Sequence, residues 1–403
     1  MMAENKLQVA GLLALAMAGF IAIMTETVPA GLLSQISQDL GVSSSMAGQL
    51  VTAYALGSLL AAIPLTLATR GWMRRKALLT SVIGFFLFNT LSTFSKDYTL
   101  TLVARFFAGA AAGLAWGLIA GYARRMVVPE LQGRAMTLAM IGTPVALALG
   151  VPIGTWFGAL VGWRSVFGIM SALTLMLIIW ILLKVPNFPG EARQKSLSLY
   201  QVWRLPGIRP ILWVIFAWVA AHNILYTYIV PFLATYGLQM QADRVLLTFG
   251  VSALLGIALT GWLVDRWLRR TVLASLLLFA LITLAFAVFT TSASVLYSGV
   301  FIWGLTFGGA ATLLQTASAD AAGDSTDVAQ SMVVVAWNLA IAAGGIIGGV
   351  LLQNRGAVSF PWAMLLLLLA GLLVVLMARK RGFKSGPRHA ETVDESKDYS
   401  CSE

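Results

Sequence analysis

The sequence has very few of the residues that build metal centres and disulfide frameworks. Its 403 residues include one cysteine, Cys401, and two histidines, His222 and His389, which stand far apart in the chain. A single cysteine excludes an internal disulfide and a cysteine-based metal site. We therefore predict neither a metal nor a cofactor.

Charged residues are also scarce. They make up 11% of the chain, whereas hydrophobic residues make up 59%; soluble domains carry about 25% charged residues. This composition is typical of a polytopic membrane protein and not of a globular enzyme. The sequence also lacks the G-x-x-x-x-G-K-[ST] phosphate-binding loop and any polar region long enough for a hydrolytic domain. It has no nucleophile–base constellation either, so we expect no enzymatic activity.

Long apolar runs dominate what is there. A membrane-spanning helix needs about 20 mostly apolar residues, and twelve runs qualify. They lie at about 7–33, 46–69, 77–95, 99–123, 135–160, 164–184, 211–236, 245–264, 271–291, 295–318, 328–352 and 360–378. The first run is too long for a cleavable signal peptide, and further membrane segments follow it.

The runs divide the chain into two bundles of six helices. We predict an N-terminal bundle over 1–184, a cytoplasmic linker over 185–210, a C-terminal bundle over 211–378 and a disordered tail over 379–403. Within the linker, Leu197–Trp203 favours a short amphipathic helix on the inner membrane surface.

Lysine and arginine set the expected orientation. With the N-terminus in the cytoplasm, 22 of the 27 basic residues fall in cytoplasmic segments, four fall in outside loops, and Arg105 lies inside a helix. Cytoplasmic loops of membrane proteins carry this excess. We therefore expect both termini inside, and the net charge of +11 then needs no nucleic-acid partner.

The two halves also repeat one another. Gly261–Arg270, with the sequence GWLVDRWLRR, lies between two apolar runs, and Thr66–Arg75 occupies the same place 195 residues earlier. Both stretches end in two arginines. Internal similarity over half a chain predicts two related halves.

Four stretches in order resemble conserved motifs of the major facilitator superfamily. Gly261–Arg270 resembles its signature loop, and Arg105–Gly113 is similar to its fourth-helix arginine motif. Gly142–Gly154 is similar to the fifth-helix glycine/proline motif of its proton-driven exporters. Thr25–Pro29 resembles the drug/proton antiporter family and its sugar- and purine-efflux relatives. The first-half loop departs from the pattern, because it has Arg70 where the family has aspartate.

The resemblance implies an all-α membrane protein of twelve transmembrane helices in two pseudo-symmetric bundles. It implies a secondary active transporter that exports a sugar, nucleobase, other metabolite or drug by alternating access, in exchange for protons. Its partners would be the substrate, protons and the lipid bilayer, and we expect a monomer in a bacterial cytoplasmic membrane. A proton-coupled importer and a non-transporting receptor or scaffold are the alternative functions, and sodium is the alternative coupling ion.

Three polar residues lie at membrane depth, where charges are costly and usually functional. Glu26 precedes Pro29 on the first helix, and a carboxyl group in an apolar setting can bind a proton near neutral pH. Arg105 lies near the outer end of the fourth helix, and related exporters use this arginine in proton coupling. The alternatives are a Glu26 in the headgroup layer and an Arg105 that extends to the outer surface.

His222 lies on the seventh helix and shares a face with Tyr226, four residues later. Histidine can relay a proton near neutrality, and the equal alternative is a neutral histidine bonded between helices. We assign proton coupling to Glu26, Arg105 and His222. The predicted substrate-binding set shares a polar side chain at membrane depth and consists of Glu26, Arg105, His222, Asn223, Tyr226 and Asn338.

The remaining candidates are charges at the inner ends of helices. The resemblance implies that the loop containing Arg70 lies against the start of helix eleven, where Asp324 and Asp327 stand without a neighbouring base. We predict an exchanged charge pair that stabilises the inside-closed state; the alternative is helix capping together with the positive-inside pattern. The full gating set is Arg70, Arg74, Arg75, Asp265, Arg266, Arg269, Asp324 and Asp327.

Overall fold

Twelve membrane-length helices make up most of the described chain. The computed structural model describes residues 8–69, 71–128, 131–190, 199–289, 292–323, 326–379 and 382–383, without the side chains of residues 132–133, 199, 265 and 326–327. In the first half the helices are α1 Val9–Gly31, α2 Ser44–Ala68, α3 Arg74–Phe94, α4 Tyr98–Arg125, α5 Arg134–Val161 and α6 Trp163–Lys184. In the second half they are α7 Ile208–Thr227, α8 Gln239–Val264, α9 Arg266–Val288, α10 Ala293–Ala322, α11 Val328–Arg355 and α12 Ala357–Met377. The predicted twelve helices, six per half, are confirmed.

Side-chain caps fix the start of three helices. Ser43 accepts a hydrogen bond from the backbone N–H of Met46 at the start of α2, and Asp97 accepts one from Leu100 at the start of α4. Ser292 does the same for α10. A short polar side chain at this position satisfies an N–H group that the helix itself leaves unpaired. All three helices begin at the end of the bundle that the charge distribution assigns to the outside.

The turn expected between α8 and α9 is almost absent. The chain stays helical from Ala242 to Val288, and only Trp267 has non-helical torsion angles, with φ −138° and ψ 34°. This stretch has no proline, and leucine and arginine, which are strong helix formers, fill the expected turn. A single distorted residue is therefore enough to redirect the chain.

Three other helices are interrupted near their middle or outer third. A π-helical segment, Ala146–Gly150, lies within α5. α7 is broken at Tyr228 and continues as Ile229–Ala234, and α10 is broken at Gly309. Such breaks free backbone groups and allow local movement, and in membrane helices they recur at functional sites.

The two halves are joined at the outer end. Gln49 on α2 donates to the Tyr228 hydroxyl at 3.0 Å, and that hydroxyl donates to the backbone oxygen of Gly345 on α11 at 2.9 Å. Ser45 donates to the backbone oxygen of Gly349 at 2.9 Å. We call these five residues the outer latch. The structure is therefore closed at this end.

Glycine makes the outer latch possible. A Cβ atom on Gly345 would overlap the Thr52 side chain on α2, and one on Gly349 would lie 2.7 Å from Gln49 Nε2. Only glycine therefore lets α11 come this close to α2. This close contact lies between the two halves.

Candidate functional site

Glu26 is placed well inside the first membrane helix. It is the eighteenth residue of α1, about 8 Å from the outer end of the helix at 1.5 Å per residue. Its side chain is half-buried. The neighbouring Thr25 is fully buried and accepts a hydrogen bond from Asn89 Nδ2 on α3 at 3.0 Å. This bond fixes the rotation of α1 just before the carboxylate.

Arg105 lies at a similar depth on α4. It is the eighth residue of its helix, about 10 Å from the outer end, and only 1% of its surface is exposed. Its guanidinium group lies over the Tyr54 ring at 4.9 Å and near the Phe167 ring at 5.6 Å. The side chain therefore remains inside the bundle instead of extending to the outer surface.

Part of the Arg105 guanidinium makes no hydrogen bond to the described residues. Nε donates to the backbone oxygen of Leu50 at 3.4 Å, whereas its two terminal nitrogens have no hydrogen-bond partner among the described residues. Arg105 lies within electrostatic range of Glu26 without forming a direct ion pair. Tyr54, which donates to the backbone oxygen of Ala22 at 2.9 Å, interacts with both charges. An uncompensated buried cation is costly, so Glu26 is the natural counterion.

His222 is enclosed by aromatic rings. The Phe307 ring on α10 stacks parallel to it, with the centroids 3.6 Å apart and an interplanar angle of 2°. Tyr226, Phe249 and Trp303 have ring centroids 5.1 to 5.6 Å from it. We call these five residues the aromatic cluster.

A hydrogen bond fixes the protonation of His222. Trp303 Nε1 donates to His222 Nδ1 at 3.1 Å, and an indole N–H can only donate. Nδ1 is therefore unprotonated, and the neutral ring carries its proton on Nε2. The geometry favours the neutral, interhelical histidine over the proton relay, because protonating Nδ1 requires breaking the bond to Trp303.

Helices α1 and α7 meet at this site. Tyr226 of α7 lies near the side chain of Thr27 and within electrostatic range of Glu26, both on α1. The carboxylate–arginine pair of the first half and the aromatic cluster of the second half therefore form one continuous site.

The two asparagines of the predicted substrate set are held within their own helices. Asn223 Nδ2 donates to the backbone oxygen of Val219 at 2.9 Å, and Asn338 Nδ2 donates to that of Val334 at 3.0 Å. Both side chains are buried. Asn223 also packs against Gly344 of α11. Both hydrogen bonds are therefore intrahelical, and only the packing of Asn223 against Gly344 joins two helices.

The loop arginines bind carbonyl groups within their own half. Arg75 donates to the backbone oxygen of Leu182 at the end of α6, and Arg269 donates to that of Leu376 at the end of α12. Arg74 is buried beside Phe188, and Arg266 is exposed. Cations stabilise the carbonyl ends of helices. Arg70 and Asp324, together with the side chains of Asp265 and Asp327, lie outside the described residues.

Sequence reasoning missed Tyr54, Phe249, Trp303 and Phe307. A signal was present for two of them: Trp303 and Phe307 are four residues apart on one helix, as are His222 and Tyr226 on another. Aromatic pairs at this spacing share a helix face. Apolar faces toward lipid carry the same spacing, so the pattern did not distinguish them.

Comparison with known proteins agrees with this architecture. Residues 15–326 and 245–397 match the family profile of the Major Facilitator Superfamily. The purine ribonucleoside efflux pump NepI of Escherichia coli (strain 536 / UPEC) is 30% identical over 359 residues, which cover 88% of this chain and 89% of that protein. The pumps of the same name from Shigella flexneri and Shigella sonnei are 29% and 28% identical, covering 88% and 89% of this chain and 89% and 91% of theirs.

The family match covers most of the chain, and the relatives align with nearly their whole length. Twelve membrane helices in two similar halves are the architecture that the sequence motifs implied. The chain belongs to the Major Facilitator Superfamily of membrane transporters.

Proposed function

We propose that this protein exports a small polar metabolite in exchange for protons by alternating access. The observation that carries the proposal is the buried Arg105 guanidinium, with two nitrogens that lack a hydrogen-bond partner among the described residues, at a helix depth similar to that of Glu26. Proton coupling requires a group that can bind and release a proton within the helix bundle, and a carboxylate beside a buried cation meets this requirement. The efflux function of the relatives supports the direction of transport.

The coupling follows from charge balance. When Glu26 is ionised, it neutralises Arg105 across the space between α1 and α4. The ionised carboxylate is a strong acceptor for hydroxyl or amino groups of the substrate, and a proton on Glu26 weakens these bonds and favours release of the substrate. The buried Arg105 guanidinium, whose two terminal nitrogens have no hydrogen-bond partner among the described residues, stabilises the ionised form. Proton and substrate therefore compete for Glu26, as exchange requires.

Purine ribonucleosides are the substrate class that we propose. The relatives are named for their efflux, and the aromatic cluster supplies flat surfaces on which a base can stack. Stacked or edge-on aromatic pairs contribute about 0.5–1.5 kcal/mol beyond the area they bury. Sugars lack a π-system and can pack only their C–H groups on these rings, so parallel ring–ring stacking favours a base.

We propose the outer latch as the outer gate of the transport cycle. With α2 and α11 joined at the outer end, we expect the site to be reached from the cytoplasm in this conformation. Opening the outer end requires breaking the bonds of Gln49 and Ser45 to the second half. Each neutral hydrogen bond contributes only about 0.5–1.5 kcal/mol net, so the latch is reversible on the scale of substrate binding energies.

The test is transport by the purified protein in liposomes. An imposed pH gradient should drive accumulation of labelled adenosine against its concentration gradient, and a protonophore should abolish it. A sodium gradient without a pH gradient should drive none. Accumulation that follows the sodium gradient, or adenosine movement that ignores both gradients, contradicts proton coupling; a scaffold protein would show no movement in any condition. In inverted and right-side-out vesicles, movement from the cytoplasmic face outward distinguishes export from import.

A further inference from the structure

Phe307 differs from the other rings around His222. Tyr226, Phe249 and Trp303 are buried at 4% exposure or less, whereas Phe307 is only partly buried. It also makes the closest and most parallel ring contact, at 3.6 Å and 2°. A buried ring cannot leave without opening a cavity, which is costly. Phe307 is the one ring of the aromatic cluster that can move aside.

The helix is interrupted next to Phe307. α10 is interrupted at Gly309, two residues after Phe307, and helix resumes at Ala310. Gly308 and Gly309 lie directly against α8, because a Cβ on either would overlap Ala253 or Thr260. A break of this kind allows the two parts of α10 to change their relative angle, and the Phe307 ring would shift with it.

The stacked face of His222 also has a hydrogen-bond donor at its edge. Nδ1 is occupied by Trp303, so the ring proton is on Nε2. Among the described residues, no hydrogen bond engages Nε2. A stacked base with a substituent that extends past its edge to the imidazole plane, such as a ribose that carries hydroxyl acceptors, would fit this arrangement, whereas the phenyl ring of Phe307 offers no acceptor.

We propose that Phe307 occupies the position of the substrate's planar ring, and that a heteroaromatic base displaces it from His222 during binding. The base stacks on His222, and Nε2–H, which points outward in the imidazole plane, donates to a hydroxyl of the ribose attached to the base. Trp303 positions His222 by holding Nδ1. This inference rests on the proposed substrate class and deepens it, because it assigns base recognition to His222 and competition to Phe307.

Phe307 could compete with the base for His222 or could merely line the site, and these two roles predict opposite effects of Phe307→Ala on binding. If Phe307 competes with the base, Phe307→Ala removes the competitor and tightens binding. If Phe307 merely lines the site, its removal weakens binding. Losing an aromatic pair corresponds to about a threefold to tenfold change in Kd, so we expect adenosine to bind Phe307→Ala at least threefold more tightly than wild type.

The experiment measures adenosine binding to the purified full-length protein by calorimetry, with ribose as the ligand that lacks a base. Phe307→Leu is the second variant, because it keeps apolar volume without a flat ring; it should also bind more tightly. His222→Phe keeps the stack but removes the donor and should bind about tenfold more weakly. Phe301→Ala, an exposed ring on the same helix, is the matched control and should bind as wild type does.

The outcomes separate this inference from the proposed function. Unchanged or weaker binding by both Phe307 variants overturns displacement while leaving nucleoside transport intact. Wild-type affinity in His222→Phe overturns the assigned hydrogen bond. Binding of ribose as strong as that of adenosine overturns base recognition and the substrate class together. Failure of proton-driven uptake, with the predicted pattern of Kd values retained, would contradict the proposed coupling alone.

Discussion

Glu26 and Arg105 owe their properties to the place where the chain holds them. Both lie roughly 8–10 Å inside the outer ends of their helices, and each lacks a direct ion-pair partner. In water such a pair would contribute little, but in a low-dielectric interior each charge depends strongly on the other. The proton affinity of the carboxyl group should therefore respond to any change at Arg105.

Replacing Arg105 gives a pH-dependent prediction. A neighbouring cation stabilises the ionised carboxylate, so Arg105→Ala favours the protonated form and deprotonation then requires a higher pH. The pH midpoint of substrate binding, measured by titration of the purified protein, should move in the alkaline direction. Arg105→Lys, which keeps the charge, should largely restore the wild-type midpoint. Arg355→Ala, at the far outer end of α11, is the control that should leave it unchanged; an identical midpoint in wild type and Arg105→Ala would show that the two groups are uncoupled.

At the level of elements, the contacts between the two halves depend on close helix packing at glycine. α2, α7 and α11 meet at the outer latch, where glycine backbones accept hydrogen bonds that bulkier residues would prevent. Since the latch stabilises one of two arrangements of the same helices, weakening it should shift the population toward the other.

Removing one hydroxyl tests the outer latch. Tyr228→Phe deletes the bonds to Gln49 and Gly345, so the outward-open population should rise. Double electron–electron resonance between spin labels on Met46→Cys and Gln353→Cys, at the outer ends of α2 and α11, should show a larger long-distance fraction. The matched control is Tyr297→Phe, which removes a tyrosine–glutamine bond to Gln241 within the second half alone. If both variants give the wild-type distance distribution, the latch does not hold the outer end closed.

The elements were more predictable than their interruptions and partners. Runs of apolar residues located all twelve helices, because no other structure satisfies the backbone in a bilayer. The continuous helix through Trp267 and the breaks at Tyr228 and Gly309 did not follow from composition, since they depend on packing between distant segments. The sequence predicted Glu26 and Arg105 at membrane depth; the aromatic surroundings of Arg105 required the fold. The aromatic cluster and the Gln49–Tyr228 bond could not be predicted without the fold. His222 and Trp303 are 81 residues apart in the sequence, and Gln49 and Tyr228 are 179 residues apart.

For the whole molecule, charge placement and helix number combine into an orientation. The twelve spans found among the described residues would put both termini on the same side, and we propose from the excess of basic residues in alternate loops that this side is the cytoplasm. The export direction of the proposed cycle depends on this orientation. The outer latch lies at the extracellular end of the bundle only if the N- and C-termini are in the cytoplasm.

The single native cysteine provides a direct test of orientation. Cys401 lies in the tail, so a membrane-impermeant maleimide should label it in inside-out vesicles and leave it unlabelled in intact spheroplasts. In a Cys401→Ser background, Lys96→Cys, an exposed position between α3 and α4, should show the opposite pattern. Labelling of Cys401 from outside would reverse the proposed topology.

The central claim is that Glu26 carries the proton exchanged for the substrate. In proteoliposomes containing a pH-sensitive dye, an outwardly directed adenosine gradient should drive proton movement in the opposite direction through the wild-type protein. Glu26→Gln cannot titrate, so it should show no adenosine-driven proton movement while still exchanging labelled for unlabelled adenosine. Asp243→Asn, an acid at the outer start of α8, should behave as wild type. Adenosine-driven proton movement in Glu26→Gln at the wild-type rate would contradict the account.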